Sequence, residues 1–195
     1  WNEAQKFITQ LNKLQPLLNP CLPSEAQWEY ACRAGMVTPF YFGENINPEQ
    51  VNYDGTEPYA KGKKGEYRQQ TVPVKSLAVN SWGLYEMHGN VWEWCQDTWQ
   101  VNLTNESALD PLVVEGSDNL VVRGGSWYSG GRGVRSAVRD RNSLSERDDL
   151  TGFRLALGHQ AQPDKKGKSI PSSSIDWRVP EQRESKLLDG IGKLL

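Results

Sequence analysis

The sequence has no excess of basic residues and no long apolar run. Its 22 Lys and Arg residues stand against 24 Asp and Glu, so the formal net charge is −2. A nucleic-acid-binding protein usually carries a basic surface, and composition does not supply one here. No apolar stretch approaches the roughly 20 residues that span a bilayer, and the polar start lacks the basic and apolar regions of a signal peptide. We therefore predict a cytoplasmic protein with no nucleic-acid partner and no membrane partner.

Cysteine and histidine are scarce as well. Cys21, Cys32 and Cys95 are odd in number and widely spaced, without a CxxC pair, which excludes a disulfide framework and a cysteine zinc site. The two histidines, His88 and His159, stand in unrelated contexts and cannot supply a three-ligand metal site. We interpret the cysteines as small buried or neutral residues.

Glycine and tryptophan, in contrast, are plentiful. Eight Trp and eighteen Gly among 195 residues are typical of a loop-rich fold in which bulky rings anchor a permissive backbone. Apolar residues at helical spacing predict a first helix over 2–14, which Pro16 ends. The Ser24 to Gln27 phrase has the pattern of a capping box and predicts a second helix that Gly35 ends.

The rest of the chain predicts loops, short strands and a tail. Residues 40–79 show no sustained period and predict a long ordered loop. Short strands are predicted within 89–94, 120–124 and 152–157. The tryptophans at 28, 82, 92 and 94 are interpreted as core residues. A polar linker or disordered tail is predicted over 159–195, where leucines and an isoleucine near the end leave two alternatives open: a frayed tail or a short partner-docking helix.

Four phrases stand in one order along the chain: LPSEAQWEY at 22–30, NSWGLYEMHGNVWEW at 80–94, RGGSW at 123–127 and GFR at 152–154. Their wording closely resembles the formylglycine-generating enzyme (sulfatase-modifying factor) superfamily. The resemblance covers residues 1–158 and implies an α+β, loop-rich, modified C-type lectin-like fold with two helices and short antiparallel strands. Members of the superfamily usually have further residues before the position that matches Trp1. We therefore also expect that this chain is part of a longer polypeptide and lacks the N-terminal strands of the fold.

The resemblance implies that this chain lacks the family's oxidation chemistry. In the oxidising members two cysteines follow the Gly-Gly-Ser phrase, bind copper as thiolates and activate oxygen. The matching positions here hold Ser129 and Val134. We therefore expect no catalytic residues and no copper. A formylglycine-generating or sulfatase-modifying oxidoreductase, or an accessory domain of the same family, stays open as the alternative.

The resemblance also implies structural calcium, in two sets of oxygen ligands. One set comprises the side chains of Glu86 and Glu93 with the carbonyls of Gly89 and Val91. The other comprises the Asn52 and Glu66 side chains with the Tyr53 and Arg68 carbonyls, where Glu66 replaces the usual Asp. Carboxylates and alternating carbonyls match the oxygen-rich shell that Ca2+ requires.

The segment after Trp127 resembles the variable region of diversity-generating retroelement proteins. In those proteins, Asn codons of a template are mutated only at their adenines, so the pyrimidine at the third base is kept. Such codons cannot become codons for Lys, Glu, Gln, Met or Trp. Thirteen positions contain none of these five residues and alternate with a fixed framework: Tyr128, Ser129, Gly130, Arg132, Gly133, Val138, Asp140, Arg141, Asn142, Ser143, Asp148, Asp149 and Leu150. An ordinary family member with a polar loop is the alternative.

These observations lead to one functional prediction and one structural expectation. We expect a non-catalytic domain that binds a protein or another macromolecular ligand through residues 128–150, with Tyr128 as an aromatic contact. The framework arginines, at positions 135, 139, 147 and 154, are expected to fix the loops by pairing with carboxylates and carbonyls. A purely structural accessory domain within a longer polypeptide is a third possibility.

Overall fold

The computed structural model describes residues 1–103, 110–114 and 118–158. These residues form an α+β arrangement of two helices and six strands: α1 (Asn2–Leu14), β1 (Pro20–Cys21), α2 (Glu25–Arg33), β2 (Trp92–Thr98), β3 (Asn119–Arg123), β4 (Arg139–Ser143), β5 (Thr151–Gly152) and β6 (Ala156–Leu157). The tail predicted over 159–195, with its alternative of a C-terminal helix, lies outside the described residues. Within the described part of the chain, neither helix has the length and apolar character needed to cross a membrane.

Helix α1 has the predicted bounds, but its apolar face is only partly buried. Ala4 and Ile8 are buried, whereas Phe7 is 51 % exposed and Leu14 is exposed as well. The Phe7 ring lies 5.8 Å from the ring of Phe153. Only the side of the helix that carries Ala4 and Ile8 is therefore buried.

Helix α2 begins at the predicted capping box. The Ser24 hydroxyl accepts from the Gln27 amide at 3.2 Å, and the Gln27 side chain accepts from the Ser24 amide at 3.0 Å. The reciprocal pair satisfies two amides that the first helical turn leaves free. The helix ends where Ala34 takes a left-handed φ of 46°, and Gly35 follows with a φ of 88°, as its position after the helix predicts.

The long loop over 40–79 contains no helix and no named strand, which confirms the prediction. It is tied down by isolated bridges, among them a parallel bridge from Asn52 to Gly89 and another from Asp54 to Gly130. The first bridge reaches the family phrase at 80–94, and the second reaches the predicted ligand-binding segment at 128–150. The loop therefore lies beside both predicted functional segments.

One four-stranded sheet, in the order β4-β3-β2-β5, organises the molecule. The β2–β3 and β3–β4 pairs are antiparallel, whereas β2 pairs with β5 in parallel. A second pair, β1 with β6, is antiparallel. Strands β2, β3, β5 and β6 overlap the predicted runs within a few residues. The sequence reasoning missed β1, which is two residues long, and β4, which is polar throughout.

Strand β3 is buried on both faces, which places a helix on each side of the sheet. Val122 packs in a cluster with Ile8 of α1, and Val121 packs in a second cluster with Trp28 of α2. Alternate residues of a strand point to opposite faces, so the two helices cover opposite faces. A third cluster contains Phe40, Ile46, Val51, Tyr53 and Val134 and joins the long loop to the predicted ligand-binding segment.

The tryptophans divide between core and surface. Trp28 and Trp94 are buried and Trp92 packs partly buried against the core, as predicted. Trp82 is 46 % exposed, so its assignment to the core is wrong. Its ring lies 4.8 Å from the exposed ring of Tyr30, since the tight turn that contains Trp82 runs over the surface beside α2.

Candidate ligand-binding face and calcium loops

The Gly-Gly-Ser phrase opens the turn that carries the first predicted ligand-binding positions. The Ser126 amide donates to the Ser129 hydroxyl at 3.1 Å, and the Ser129 amide donates to the Ser126 carbonyl at 3.0 Å. Gly125 has a φ of +74°, and a Cβ built there would lie 2.6 Å from Cγ1 of Val134. A side chain at Gly125 would strain the backbone and displace Val134, so glycine is required by the turn itself.

Ser129 and Val134 occupy the positions that hold copper-binding cysteines in the oxidising members. The Ser129 hydroxyl lies 3.4 Å from that of Ser126 and is used within the turn. Val134 is fully buried in the third core cluster. A hydroxyl and an isopropyl group offer no thiolate to soft Cu(I). These two side chains therefore do not fit copper, and no oxidation step can be derived through them.

His88 is a buried structural residue beside this turn. Its Nδ1 lies 2.7 Å from the Val134 carbonyl, and its Nε2 accepts from the Tyr41 amide at 3.1 Å. These partners require a neutral ring with its proton on Nδ1. Burial lowers the pKa of His88 to about 4, against the opposing effect of the Val134 hydrogen bond. A ring fixed at both nitrogens is not available as a general base.

The cysteine thiols are not poised for chemistry either. Cys32 Sγ lies 3.9 Å from each ring nitrogen of His88, yet burial raises the pKa of this thiol to about 12. Burial also raises the pKa of Cys95, far above its ordinary value, and that of half-buried Cys21. Only a thiolate is a strong nucleophile or metal ligand. Cys32 and Cys95 are thus the small buried residues that the sequence predicted.

The long loop packs directly on the predicted face and adds residues to it. The Gly131 amide donates to the Glu57 carbonyl at 2.7 Å. The Tyr67 ring stacks at 6.2 Å from the Trp127 ring, and the Trp127 indole donates to the Asp149 carbonyl at 3.3 Å. Sequence reasoning missed Glu57 and Tyr67, because only contacts across the fold bring them here. Their loop was recognisable as ordered, with scattered tyrosines, but nothing local marks these two.

The thirteen predicted positions share one property: none of them is buried. Framework residues between them, such as Gly131, Val134 and Ser136, are buried. Six of the thirteen are exposed and seven are half-buried; the exposed ones are Tyr128, Arg132, Asp140, Arg141, Asp148 and Asp149. Side chains at all thirteen positions could therefore change without refilling a core.

Strand β4 divides its predicted positions between two faces of the sheet. The Arg141 guanidinium lies 5.3 Å from the centroid of the Trp99 ring. On the other face, the side-chain amide of Asn142 donates to the Thr151 hydroxyl at 3.1 Å. The structure therefore joins the turn at 128–133 to residues 148–150, but it does not gather every predicted position on one surface.

The four framework arginines make the expected pairs: three bind carboxylates, and Arg135 binds a carbonyl. Arg154 holds Glu93 in a bidentate pair, with contacts of 2.5 and 2.8 Å. The other pairs join Arg135 to the Arg132 carbonyl, Arg139 to Glu25 and Arg147 to Glu3. Planar guanidinium groups suit such bidentate contacts. They fix the segments on which the variable positions stand.

A fifth arginine, Arg123, is fully buried at the centre of a charge network. It donates to Glu25 at 2.8 Å, to the Ser136 carbonyl at 2.7 Å and to Glu29. Its guanidinium also lies 5.4 Å from the Trp28 ring centroid. The network joins α2, β3 and the segment after the Gly-Gly-Ser turn. Removing both carboxylates would leave Arg123 charged and fully buried without an ionic partner, and removing Arg123 would break two ion pairs and the bond to the Ser136 carbonyl.

The carboxylates of the first predicted calcium set are already engaged. Glu86 accepts from the Lys75 amide at 3.0 Å and from the Leu77 amide at 3.2 Å. Glu93 accepts from the Trp28 indole at 2.6 Å and pairs with Arg154. A cation at Glu93 would compete with a guanidinium for the same oxygens. The side chains of this set, which Gly89 and Val91 were to complete, do not fit calcium in the described geometry.

The second predicted set retains a free oxygen. Asn52 is fully buried, and its Oδ1 has no hydrogen-bond partner, while its Nδ2 donates to the Gln70 carbonyl at 2.9 Å. Glu66 is exposed and lies 3.0 Å from Arg68 in an ion pair. A buried amide oxygen without a hydrogen-bond partner is the kind of ligand that a hard cation takes. The first set offers no side-chain oxygen of this kind. The donors of Asn52, Tyr53, Glu66 and Arg68 therefore remain the better candidate.

A cavity of about 750 Å³ bounded by described residues lies elsewhere. It is lined by α2, the end of β2 and residues on both sides of 104–109, and its lining includes Glu29, Tyr30, Arg33 and Asp97. Burial raises the pKa of Asp97, although amide hydrogen bonds oppose the shift. The charged groups here already pair with one another or with amides. Since none of the predicted positions lines it, we place the candidate site on the face at 128–150.

Comparisons with known proteins agree with this scaffold. The model of the sulfatase-modifying factor enzyme 1-like domain matches residues 1–158. The formylglycine-generating enzyme of Mus musculus is 32 % identical over 167 residues, which cover 82 % of this chain and 43 % of that enzyme. The chain thus spans less than half the length of this relative.

Two solved structures show the same fold. The structure of PvdO from Pseudomonas aeruginosa superposes with a TM-score of 0.67 at 29 % identity, covering 80 % of this chain and 58 % of that one. Treponema denticola variable protein 1 gives a TM-score of 0.55 at 28 % identity, covering 70 % of this chain and 46 % of that one. The predicted C-type lectin-like fold is confirmed.

Proposed function

Because the chain belongs to the formylglycine-generating enzyme (sulfatase-modifying factor) family, we propose that it uses the family scaffold to bind a protein ligand through residues 128–150 without catalysing an oxidation. The observation that carries the proposal is that none of the thirteen predicted positions is buried, whereas framework residues between them, such as Gly131 and Val134, are. A surface whose side chains can change while the backbone stays fixed is what a variable binding protein requires. The likeness to a solved variable protein of Treponema denticola supports the same function.

The chemistry at the Gly-Gly-Ser turn supports a binding role over an oxidase role. Ser129 and Val134 supply no thiolate, and His88 is fixed at both nitrogens. The described thiols have raised pKa values. An oxidase of this family would need sulfur ligands for copper at the turn. The binding proposal needs only a rigid turn and exposed side chains.

The proposal includes one structural calcium ion. Asn52 Oδ1, the Glu66 carboxylate and the carbonyls of Tyr53 and Arg68 would hold it in the loop that packs on the binding face. The ion would stabilise that loop by replacing a missing hydrogen-bond partner of a buried oxygen. It would take no part in ligand chemistry.

A turnover assay separates the proposal from the enzyme alternative. The full chain is incubated with copper, oxygen, a reductant and a sulfatase-type cysteine peptide. The mass of the peptide is then measured by mass spectrometry. The proposal predicts an unchanged cysteine. Conversion of the cysteine to formylglycine by this chain would overturn it.

A display experiment tests the binding face directly. A random heptapeptide phage library is selected on the immobilised full chain, and the clones are retested on Tyr128→Ser and on Tyr30→Ser. Tyr128 is 64 % exposed and Tyr30 is 70 % exposed, so both variants should fold, but only Tyr128 lies on the proposed face. We expect to find clones whose affinity falls at least about tenfold for the Tyr128→Ser variant and is unchanged for the Tyr30→Ser variant. Equal effects of the two variants would contradict the proposal.

A further inference from the structure

Three aromatic rings form a continuous surface at the candidate face. The centroids of Tyr67 and Trp127 lie 6.2 Å apart with an interplanar angle of 29°, and those of Trp127 and Tyr128 lie 5.7 Å apart at 88°. Tyr128 is the most exposed of the three, and the other two are half-buried. The faces of aromatic rings carry partial negative charge, so they attract cations.

Two acidic residues contact the 127–130 segment, which carries two of these rings. Glu57 reaches the turn next to Tyr128: a Cβ built on Gly130 would lie 2.7 Å from Oε2 of Glu57. Asp149 is joined to the surface through its carbonyl, which accepts from the Trp127 indole. Both residues are exposed, and neither carboxylate makes an ion pair with a described residue. The surface therefore offers rings together with uncompensated negative charge.

No described arginine or lysine forms an ion pair with either carboxylate. Arg135 is used by the scaffold: its Nε donates to the Arg132 carbonyl, and its guanidinium lies 6.0 Å from the centroid of the Tyr59 ring. Arg132 is exposed on the same turn.

We propose that this surface binds a lysine or arginine side chain of its ligand, so that the partner presents a basic peptide segment. The inference rests on the proposed function and names the ligand chemistry of the same face. A cation between aromatic rings and unpaired carboxylates gains from both kinds of attraction, whereas an acidic segment would be repelled. The two acidic residues contact opposite ends of the 127–130 segment, at Trp127 and at Gly130, which suits an extended peptide with more than one basic residue.

The display experiment already described gives the first test. Among clones that require Tyr128, Lys and Arg should be enriched at least about twofold over the unselected library. Clones that require Tyr128 without this enrichment would overturn the basic-ligand inference and leave the proposed function standing. The absence of any clones that require Tyr128 would overturn both, because the face would then bind no peptide.

A titration with one defined probe gives the second test. The probe is acetyl-Gly-Arg-Gly-Arg-Gly-amide, and its control carries citrulline at both arginine positions, which keeps the shape but removes the charge. We expect the arginine probe to bind about threefold to tenfold more weakly to Glu57→Gln and to Asp149→Asn. The matched control is Glu49→Gln, an exposed residue of the same long loop, which should leave the affinity unchanged.

The titration can also refute the inference by itself. Equal affinities for the arginine and citrulline probes would show that charge does not govern binding. An effect of Glu49→Gln as large as that of Glu57→Gln would show only long-range attraction and would contradict a specific site. Circular dichroism of each variant, matching that of the unaltered chain, confirms that the comparison is made between folded proteins.

Discussion

Acidification from pH 6.5 to pH 4 should lower the free energy of unfolding by about 3 kcal/mol through His88 alone. Replacing His88 by asparagine should remove this part of the pH dependence. His88 is almost fully buried, with its Nδ1 at 2.7 Å from the Val134 carbonyl and its Nε2 on the Tyr41 amide. The side chain therefore pins the turn of the candidate binding face as a neutral ring. Asparagine can still donate to the carbonyl, but it cannot titrate.

The magnitude follows from the two pKa values of the imidazole. Its ordinary value is 6.5, and burial lowers the pKa to about 4 in the folded chain. Above pH 6.5 neither state binds the proton, so this group contributes no slope. Between pH 6.5 and about 4 only the unfolded chain binds it, and the free energy of unfolding falls by roughly 1.4 kcal/mol per pH unit. The loss is complete once the pH passes the folded value.

Urea unfolding at half-unit steps from pH 7.5 to pH 4 measures the effect. The Cys32 thiol beside the ring stays neutral throughout this range, because burial raises its pKa to about 12. All carboxylates are common to both proteins, so they cancel when the His88→Asn curve is subtracted. The difference should be flat above pH 6.5 and fall by about 3 kcal/mol toward pH 4. Parallel curves for the two proteins would refute the buried neutral ring.

Three further predictions concern charge, calcium and thiols. Arg123→Met should lower the free energy of unfolding by about 3 to 5 kcal/mol, because it breaks the ion pairs of a fully buried guanidinium with Glu25 and Glu29 and its bond to the Ser136 carbonyl; a loss under about 1 kcal/mol in urea unfolding would contradict the network. Removing calcium with a chelator should lower the melting temperature, and Asn52→Ala should abolish that difference; identical melting of the unaltered chain with and without chelator would exclude the ion. A thiol reagent at pH 8 should label Cys21 in the folded chain but Cys32 and Cys95 only after unfolding, as mass spectrometry of the labelled peptides would show; rapid labelling of Cys32 in the folded chain would refute its burial.

The elements with strong local signals could be predicted from the sequence. The capping box at Ser24 and Gln27 fixed the start of α2, and the helical spacing of Ala4 and Ile8 fixed α1. Both depend on residues three or four apart, which the sequence displays directly. The four family phrases likewise predicted the fold, because their glycines and tryptophans define turns and core contacts.

Strand β4 could not be predicted in the same way. Its sequence, Arg-Asp-Arg-Asn-Ser over 139–143, has no apolar alternation, because it is an edge strand held by backbone pairing to β3 and by the contacts of its arginines. Such pairing joins residues that are distant in sequence and leaves no local pattern. The exposure of Trp82 was missed for a related reason: nothing within its phrase shows that the turn passes over the surface.

The candidate site was predicted only in part. The substituted positions Ser129 and Val134 and the exposed character of the turn were readable from the family phrases. Glu57 and Tyr67 were not, since they reach the face from a loop some sixty to seventy residues earlier. The engagement of Glu93 by Arg154 was equally hidden, although each residue had been singled out for its own role.

The binding proposal implies that the thirteen positions between 128 and 150 are diversified on a fixed scaffold. Sequencing the encoding gene with its flanking DNA tests this most directly. We expect a near-copy of the stretch encoding residues 127–154 that carries an adenine at every base where the two differ, with all differences in the codons of those thirteen positions. A locus without such a copy, or one whose differences fall equally on framework codons such as that of Arg139, would contradict it.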